Sequence, residues 1–210
     1  MIIKDNSLEY IADQLASQDY AITEQFLTLE EVRAIREVFE YHREEDNFKR
    51  AGIGKQEDFT LDKQIRGDYI KWIDPGNTFP AVKVFLDKIN ALKDYLNMTC
   101  YLGLRDYETH FAIYPPGSFY KRHLDQFQGD GARRITFICY LNEGWQPGDG
   151  GELRMYFKDR EEDLHPTAGK LVCFRSEMLE HEVLVANKHR YSLTGWMLNH
   201  PVGLGFIKQP

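Results

Sequence analysis

Near residue 100 the apolar residues stop recurring at the three-to-four-residue spacing of a helix and begin to alternate strictly, and this switch constrains the architecture most. Tyr107, Thr109, Phe111 and Ile113 alternate with Glu108, His110, Ala112 and Tyr114. Further β-rich runs follow at 134–141, 152–157, 170–174, 181–185 and 190–198, separated by the turn signals YPPGS, QGDG, QPGDGG, HPTAG and VANKH. Many short strands behind packing helices predict a mainly β protein with a β-sandwich or jelly-roll core, an architecture that often holds a metal or ligand between its sheets.

Upstream, the first third reads as helical with one strand. Thr28-Leu29-Glu30-Glu31 is a capping box, Val32, Ile35, Val38 and Phe39 follow at helical spacing, and Leu27 is placed to staple onto Val32. An earlier helix carries Leu8, Ile11, Ala12 and Leu15, and Pro80 opens a third with the stripe Val82, Phe85, Ile89, Leu92 and Leu96. These stripes are core packing and carry no chemistry. The 210 residues are expected to form a single domain over 1–210, with a helical part at about 1–98 and a β core at about 99–200. The longest unpatterned stretch, 47–65, is a candidate functional loop.

Composition narrows the function. Lys and Arg number 26 against 33 Asp and Glu, a net charge of -7, so the basic field of a general nucleic-acid binder is missing. No apolar run approaches a membrane span, and the start MIIKDNSLEY has neither the basic nor the apolar region of a leader, which points to a cytoplasmic protein. Cys100, Cys139 and Cys173 are odd in number and lie in apolar contexts, as buried reduced thiols do. GDGG at 148–151 lacks the Lys-Ser/Thr and helix start of a phosphate loop and reads as a turn.

His123-Leu124-Asp125 sets an imidazole and a carboxylate two residues apart, which in a strand turns both to one face. The pattern is common by chance, so a third donor from a facing strand is needed, and His181, opening HEVLV, is the best placed. Two His and one carboxylate leave open positions on an octahedral Fe(II), whereas zinc prefers a closed tetrahedral site. Arg190 follows nine residues after His181, and a hairpin through ANKH is expected to set their strands side by side. Arg190, Ser192, Thr194 and Trp196 share a face, and a guanidinium buried there requires an anion; a dicarboxylate with one end on iron supplies it. The histidines at 42, 110, 165, 189 and 200 read as surface or ordinary packing residues.

The HxD pair, the later His and the Arg nine residues on resemble the 2-oxoglutarate and Fe(II)-dependent dioxygenases, whose fold is a double-stranded β-helix, a form of jelly roll. Within them the chain is most similar to the prolyl hydroxylases of the oxygen-sensing (HIF) type and their bacterial relatives. The matching segments are QIRGDYIKWI (64–73), Tyr114 through YKRHLDQFQGDGAR to CYLNEGW (139–145), GGELRMY (150–156), and LEHEV followed by HRYSLTGW. They cover about residues 60 to 200 in consistent order.

The resemblance implies iron ligands at His123, Asp125 and His181 and a 2-oxoglutarate pocket of Tyr114, Tyr140, Leu153, Val183, Arg190, Thr194 and Trp196, with Arg190 on the distal carboxylate. It places substrate recognition at Arg66, Asp68 and Trp72, after a substrate loop, with Arg133 a partner of Asp68. It implies Fe(II), 2-oxoglutarate and O2, with L-ascorbate as reductant, and hydroxylation of a prolyl residue in a protein with succinate and CO2 as co-products. A translational GTPase of the elongation factor Tu type is a candidate substrate, and the enzyme is expected to be a monomer. Segment 47–63 shares little with the sensor enzymes beyond glycine and charge, so it does not identify the substrate. The alternatives are an oxygenase acting on a small molecule or another residue type, and a non-enzymatic jelly-roll binding module.

Overall fold

In chain order the elements of the computed structural model are α1 (Asn6–Gln18), β1 (Tyr20–Thr23), α2 (Leu29–Glu44), β2 (Lys49–Arg50), β3 (Tyr69–Trp72), α3 (Pro80–Cys100), β4 (Asp106–Tyr114), β5 (Tyr120–His123), β6 (Arg133–Tyr140), β7 (Leu153–Tyr156), β8 (Glu161–Leu164), β9 (Leu171–Arg175), β10 (Glu180–Val183) and β11 (Arg190–Leu198). The structure describes residues 6–52, 64–126 and 131–201; most of the expected substrate loop and of the QGDG turn lies outside them. The capping box at the start of α2 is formed in both directions: Thr28 Oγ1 accepts from the Glu31 amide at 3.2 Å, and Glu31 Oε2 accepts from the Thr28 amide at 2.8 Å. Lys88 of α3 donates to the same Glu31 carboxylate at 2.7 Å, which ties the two helices together.

The strands form two antiparallel sheets. The larger has the order β1-β9-β6-β11-β4-β3-β2 and the smaller β5-β10-β7-β8. Alternation along the central strands sorts residues between two cores. Phe111, Ile113, Phe137, Cys139, Tyr191 and Leu193 pack beneath the stripes of the three helices, whereas Ala112, Tyr114, Ile138 and Tyr140 face the smaller sheet and its Leu153, Met155 and Val183. Cys139 and Cys173 are buried thiols and Cys100 is half-buried; all three are free.

Three expectations need correction. The N-terminal part holds three short strands, not one; β1, β2 and β3 run only two to four residues, too short for a periodic signal, and exist by pairing onto the larger sheet. The strands bearing His181 and Arg190 form no hairpin. β10 pairs with β5 and β7, while β11 pairs with β4 and β6, so the VANKH turn crosses from one sheet to the other. The strand that begins the HxD motif ends at His123, which leaves Asp125 in an irregular segment.

Candidate active site

A cavity of about 280 Å³ opens between the sheets, and the strand registers determine what lines it. Along β11, Arg190 is opposite Tyr114, Thr194 opposite His110 and Trp196 opposite Glu108 of β4, so one row of alternate residues from each strand faces the cavity. From the smaller sheet, Leu153, Val183, His123 and His181 face it.

His123 and His181 are direct partners across β5 and β10, and with Asp125 they place one donor atom each within 4.8 Å of one another. His123 Nδ1 lies 2.7 Å from the carbonyl of Lys121, and His181 Nδ1 lies 3.1 Å from that of Leu179. Carbonyls only accept, so each Nδ1 carries the hydrogen and each Nε2 offers its lone pair to the shared space. The Nε2 atoms lie 3.4 Å and 3.5 Å from the Asp125 carboxylate oxygens. Burial drives the His181 pKa down to about 4 against the pull of Asp125, so its imidazole is neutral at neutral pH. Burial alone would raise the Asp125 carboxyl, but His181 and then His123 hold it well below the usual carboxylate range. Two imidazole nitrogens and a carboxylate fit a divalent ion with positions left open. Among the described residues this is the one cluster of three such side chains.

At the other end Arg190, at 1% exposure, is fully enclosed. Its Nε donates to the Gly151 carbonyl at 2.8 Å, and the Tyr114 and Tyr140 rings flank the guanidinium at 4.9 Å and 5.0 Å. Among the described residues, its Nη2 and the Tyr140 hydroxyl have no hydrogen-bond partner. Burial pushes the Tyr140 phenol up to about 12, so it is a neutral donor. A buried cation and a buried hydroxyl left unpaired side by side fit an incoming carboxylate.

At the mouth the structure brings Arg66, Asp68, Trp72 and Arg133 to the same cavity, but with different pairing from that expected. Asp68 is taken by Arg66, whose guanidinium reaches both carboxylate oxygens at 2.8 Å and 2.6 Å. Arg133 instead donates to Glu108 at 2.8 Å and lies 3.5 Å over the Trp196 ring. Asp68 lies two residues from Arg66, and a sequence does not show which of two cations a buried acid will meet.

Four further residues belong to the site. Tyr120 stacks on the His123 ring at 3.7 Å. His110 is a buried packing residue that also lines the cavity: it sits between Trp72 and Trp196, at 4.9 Å and 5.5 Å between ring centroids, and burial lowers its pKa to about 3. The alternation that put Tyr114 on the inward face put His110 there too, so this one was findable. Thr136 and Ser176, which support Asp125, carried no signal.

Residues 109–198 match the family model described as the 2OG-Fe(II) oxygenase superfamily. Over 90 residues the chain is 33% identical to a PKHD-type hydroxylase from Picosynechococcus sp., a match that spans 41% of this chain and only 40% of that relative's length. Among solved structures, a Pseudomonas putida prolyl-4-hydroxylase is 42% identical with a TM-score of 0.84, covering 92% of this chain and 100% of that one. A Trichoplax adhaerens prolyl hydroxylase, solved with a hypoxia inducible factor peptide fragment, shares the fold at 24% identity and a TM-score of 0.82, covering 92% of this chain and 90% of that one. The family implies Fe(II), 2-oxoglutarate and O2, and the His-Asp-His cluster and the free Nη2 of Arg190 fit the first two. The chain belongs to the 2-oxoglutarate and Fe(II)-dependent oxygenases, in the prolyl 4-hydroxylase family.

Proposed function

We propose that the protein hydroxylates a prolyl residue in an exposed protein segment, consuming 2-oxoglutarate and O2 and releasing succinate and CO2. One observation carries the reading: a three-donor metal cluster and an anion-seeking buried arginine occupy one cavity, in a chain 42% identical to a prolyl-4-hydroxylase along that protein's whole length. In this reading His123, Asp125 and His181 hold the iron. Arg190 and Tyr140 take the distal carboxylate of 2-oxoglutarate, and Tyr114, Leu153, Val183, Thr194 and Trp196 shape its pocket. Fe(II) supplies the redox chemistry, and the chain supplies position and exclusion of water. Arg66, Asp68, Trp72 and Arg133 form the substrate side; Trp72, 39% exposed, is the surface on which an extended peptide rests. L-Ascorbate is the reductant that keeps the iron ferrous, the enzyme works as a cytoplasmic monomer with one domain over 1–210, and a translational GTPase of the elongation factor Tu type is the first protein to test.

The test is incubation with Fe(II), 2-oxoglutarate and that GTPase or extended proline peptides, following succinate and, by mass spectrometry, one added oxygen on proline. Trp72→Ala is expected to depress prolyl hydroxylation by roughly tenfold or more, as loss of a large aromatic contact does, while substrate-uncoupled decarboxylation of 2-oxoglutarate continues. Oxidation of a free amino acid or metabolite, with every prolyl peptide untouched, would defeat the assignment.

The GDGG turn has a part in the same reading. Gly151 has φ of +67°, and a Cβ there would lie 2.9 Å from Arg190 Cδ, so its glycine both makes the turn and seats the arginine. Gly151→Ala is expected to raise the 2-oxoglutarate concentration needed for half-maximal succinate formation by roughly tenfold, within the ~1–3 kcal/mol that such strain costs, with metal affinity unchanged.

A further inference from the structure

Asp125 lies outside any strand, yet its carboxylate is held in place by the opposite sheet. Thr136, at 0% exposure in β6, approaches Asp125 Oδ2 with its hydroxyl at 2.8 Å and Ser176 Oγ at 2.9 Å; Ser176, also at 0%, directly follows β9. The polarity of this chain follows from chemistry. An ionised carboxylate only accepts, so the Thr136 hydroxyl gives its single hydrogen to Asp125, and its oxygen must accept from Ser176. Backbone bonds anchor the assembly: the Ser176 amide donates to the Arg134 carbonyl at 3.1 Å, and the Ser176 carbonyl accepts from the amide of Gln126, next to Asp125, at 3.3 Å.

We infer that Thr136, backed by Ser176, is a positioning residue for the metal centre, fixing the rotation of the Asp125 carboxylate so that Oδ1 is the oxygen offered to the ion. This rests on the proposed metal role of His123, Asp125 and His181. With Oδ2 engaged by a hydroxyl, the carboxylate is directed to bind through one oxygen, and the positions that the cosubstrate and dioxygen need stay open. Without that hydroxyl the carboxylate is free to rotate out of its alignment, and the hold on the ion and its open face are lost together.

Thr136→Val keeps the side chain's shape and removes only the hydroxyl. Mn(II) titration followed by electron paramagnetic resonance gives metal affinity, and the visible charge-transfer absorption of the anaerobic Fe(II) and 2-oxoglutarate complex reports whether the cosubstrate still chelates. Thr136→Val is expected to weaken Mn(II) binding by about 10- to 100-fold, the scale of outer-shell losses, and to diminish the absorption at saturating metal. Thr136→Ser should restore both to near the wild-type values, which a purely space-filling role would not produce. Wild-type affinity and absorption in Thr136→Val, or equal loss in Thr136→Ser, overturns the inference. If Thr136→Val does not fold, Ser176→Ala decides: a several-fold weaker Mn(II) affinity supports it, and none overturns it. Failure of the wild-type protein to bind Mn(II) at all would instead reject the metal site itself.

Discussion

Arg190→Ala is expected to raise the 2-oxoglutarate concentration for half-maximal turnover by roughly 30-fold to several thousand-fold, the range that corresponds to ~2–5 kcal/mol for removing one partner of a buried charge pair. The guanidinium has an enclosed seat, one backbone acceptor at Gly151 and, among the described residues, no carboxylate partner, so a bound carboxylate supplies the missing interaction. The same geometry predicts an opposite effect on the cosubstrate-free protein. An unpaired buried cation is destabilising, so Arg190→Met, which fills the space without the charge, should melt at or above the wild-type temperature. Thermal unfolding with and without 2-oxoglutarate separates the two effects: the cosubstrate should raise the wild-type midpoint and leave that of Arg190→Met in place. An unchanged 2-oxoglutarate requirement in Arg190→Ala would assign the carboxylate to another cation.

Replacing His181 by Ala should have a still larger effect on turnover. It removes one of three donors, and its cost should exceed the roughly 10- to 100-fold that accompanies loss of an outer-shell partner. His123→Ala and Asp125→Ala should follow it, because each donor stands within 4.8 Å of the other two. Circular dichroism should show the fold retained in all three, since the strand pairs around β10 are held by backbone bonds and by apolar neighbours such as Met155 and Val183. Mn(II) titration of each variant checks the assignment directly. Wild-type Mn(II) affinity in any one of them would remove that residue from the site.

Alternation along a strand is written in the sequence, and what depends on it was legible: the shared inward face of Arg190, Thr194 and Trp196 follows from period two alone. Alternation does not say which strands pair. His181 and Arg190 therefore looked like neighbours on a hairpin, whereas they face each other from separate sheets. The helix N-cap at Thr28 was legible because its partner Glu31 is three residues away, and the Asp125, Thr136 and Ser176 chain was not because its members meet only when the sandwich closes. Strand β8 (EEDL) gave no apolar pattern, and its pairing with β7 is accompanied by the Arg154 and Asp163 ion pair at 2.7 Å. Resemblance supplied the proposed roles of Tyr114 and Tyr140, which no local pattern would have separated from other core tyrosines.

In the proposed reading the metal donors hang mainly from one sheet and Arg190 from the other, so the gap between the sheets acts as a ruler for the cosubstrate. A 2-oxo diacid one methylene shorter or longer than 2-oxoglutarate is expected to bind more weakly, each methylene being worth ~1–3 kcal/mol in a pocket of fixed shape. Chain-length selection would then fall to the apolar lining of the cavity, and resizing Val183 or Ile138 is expected to change which diacid fits without altering a single charge.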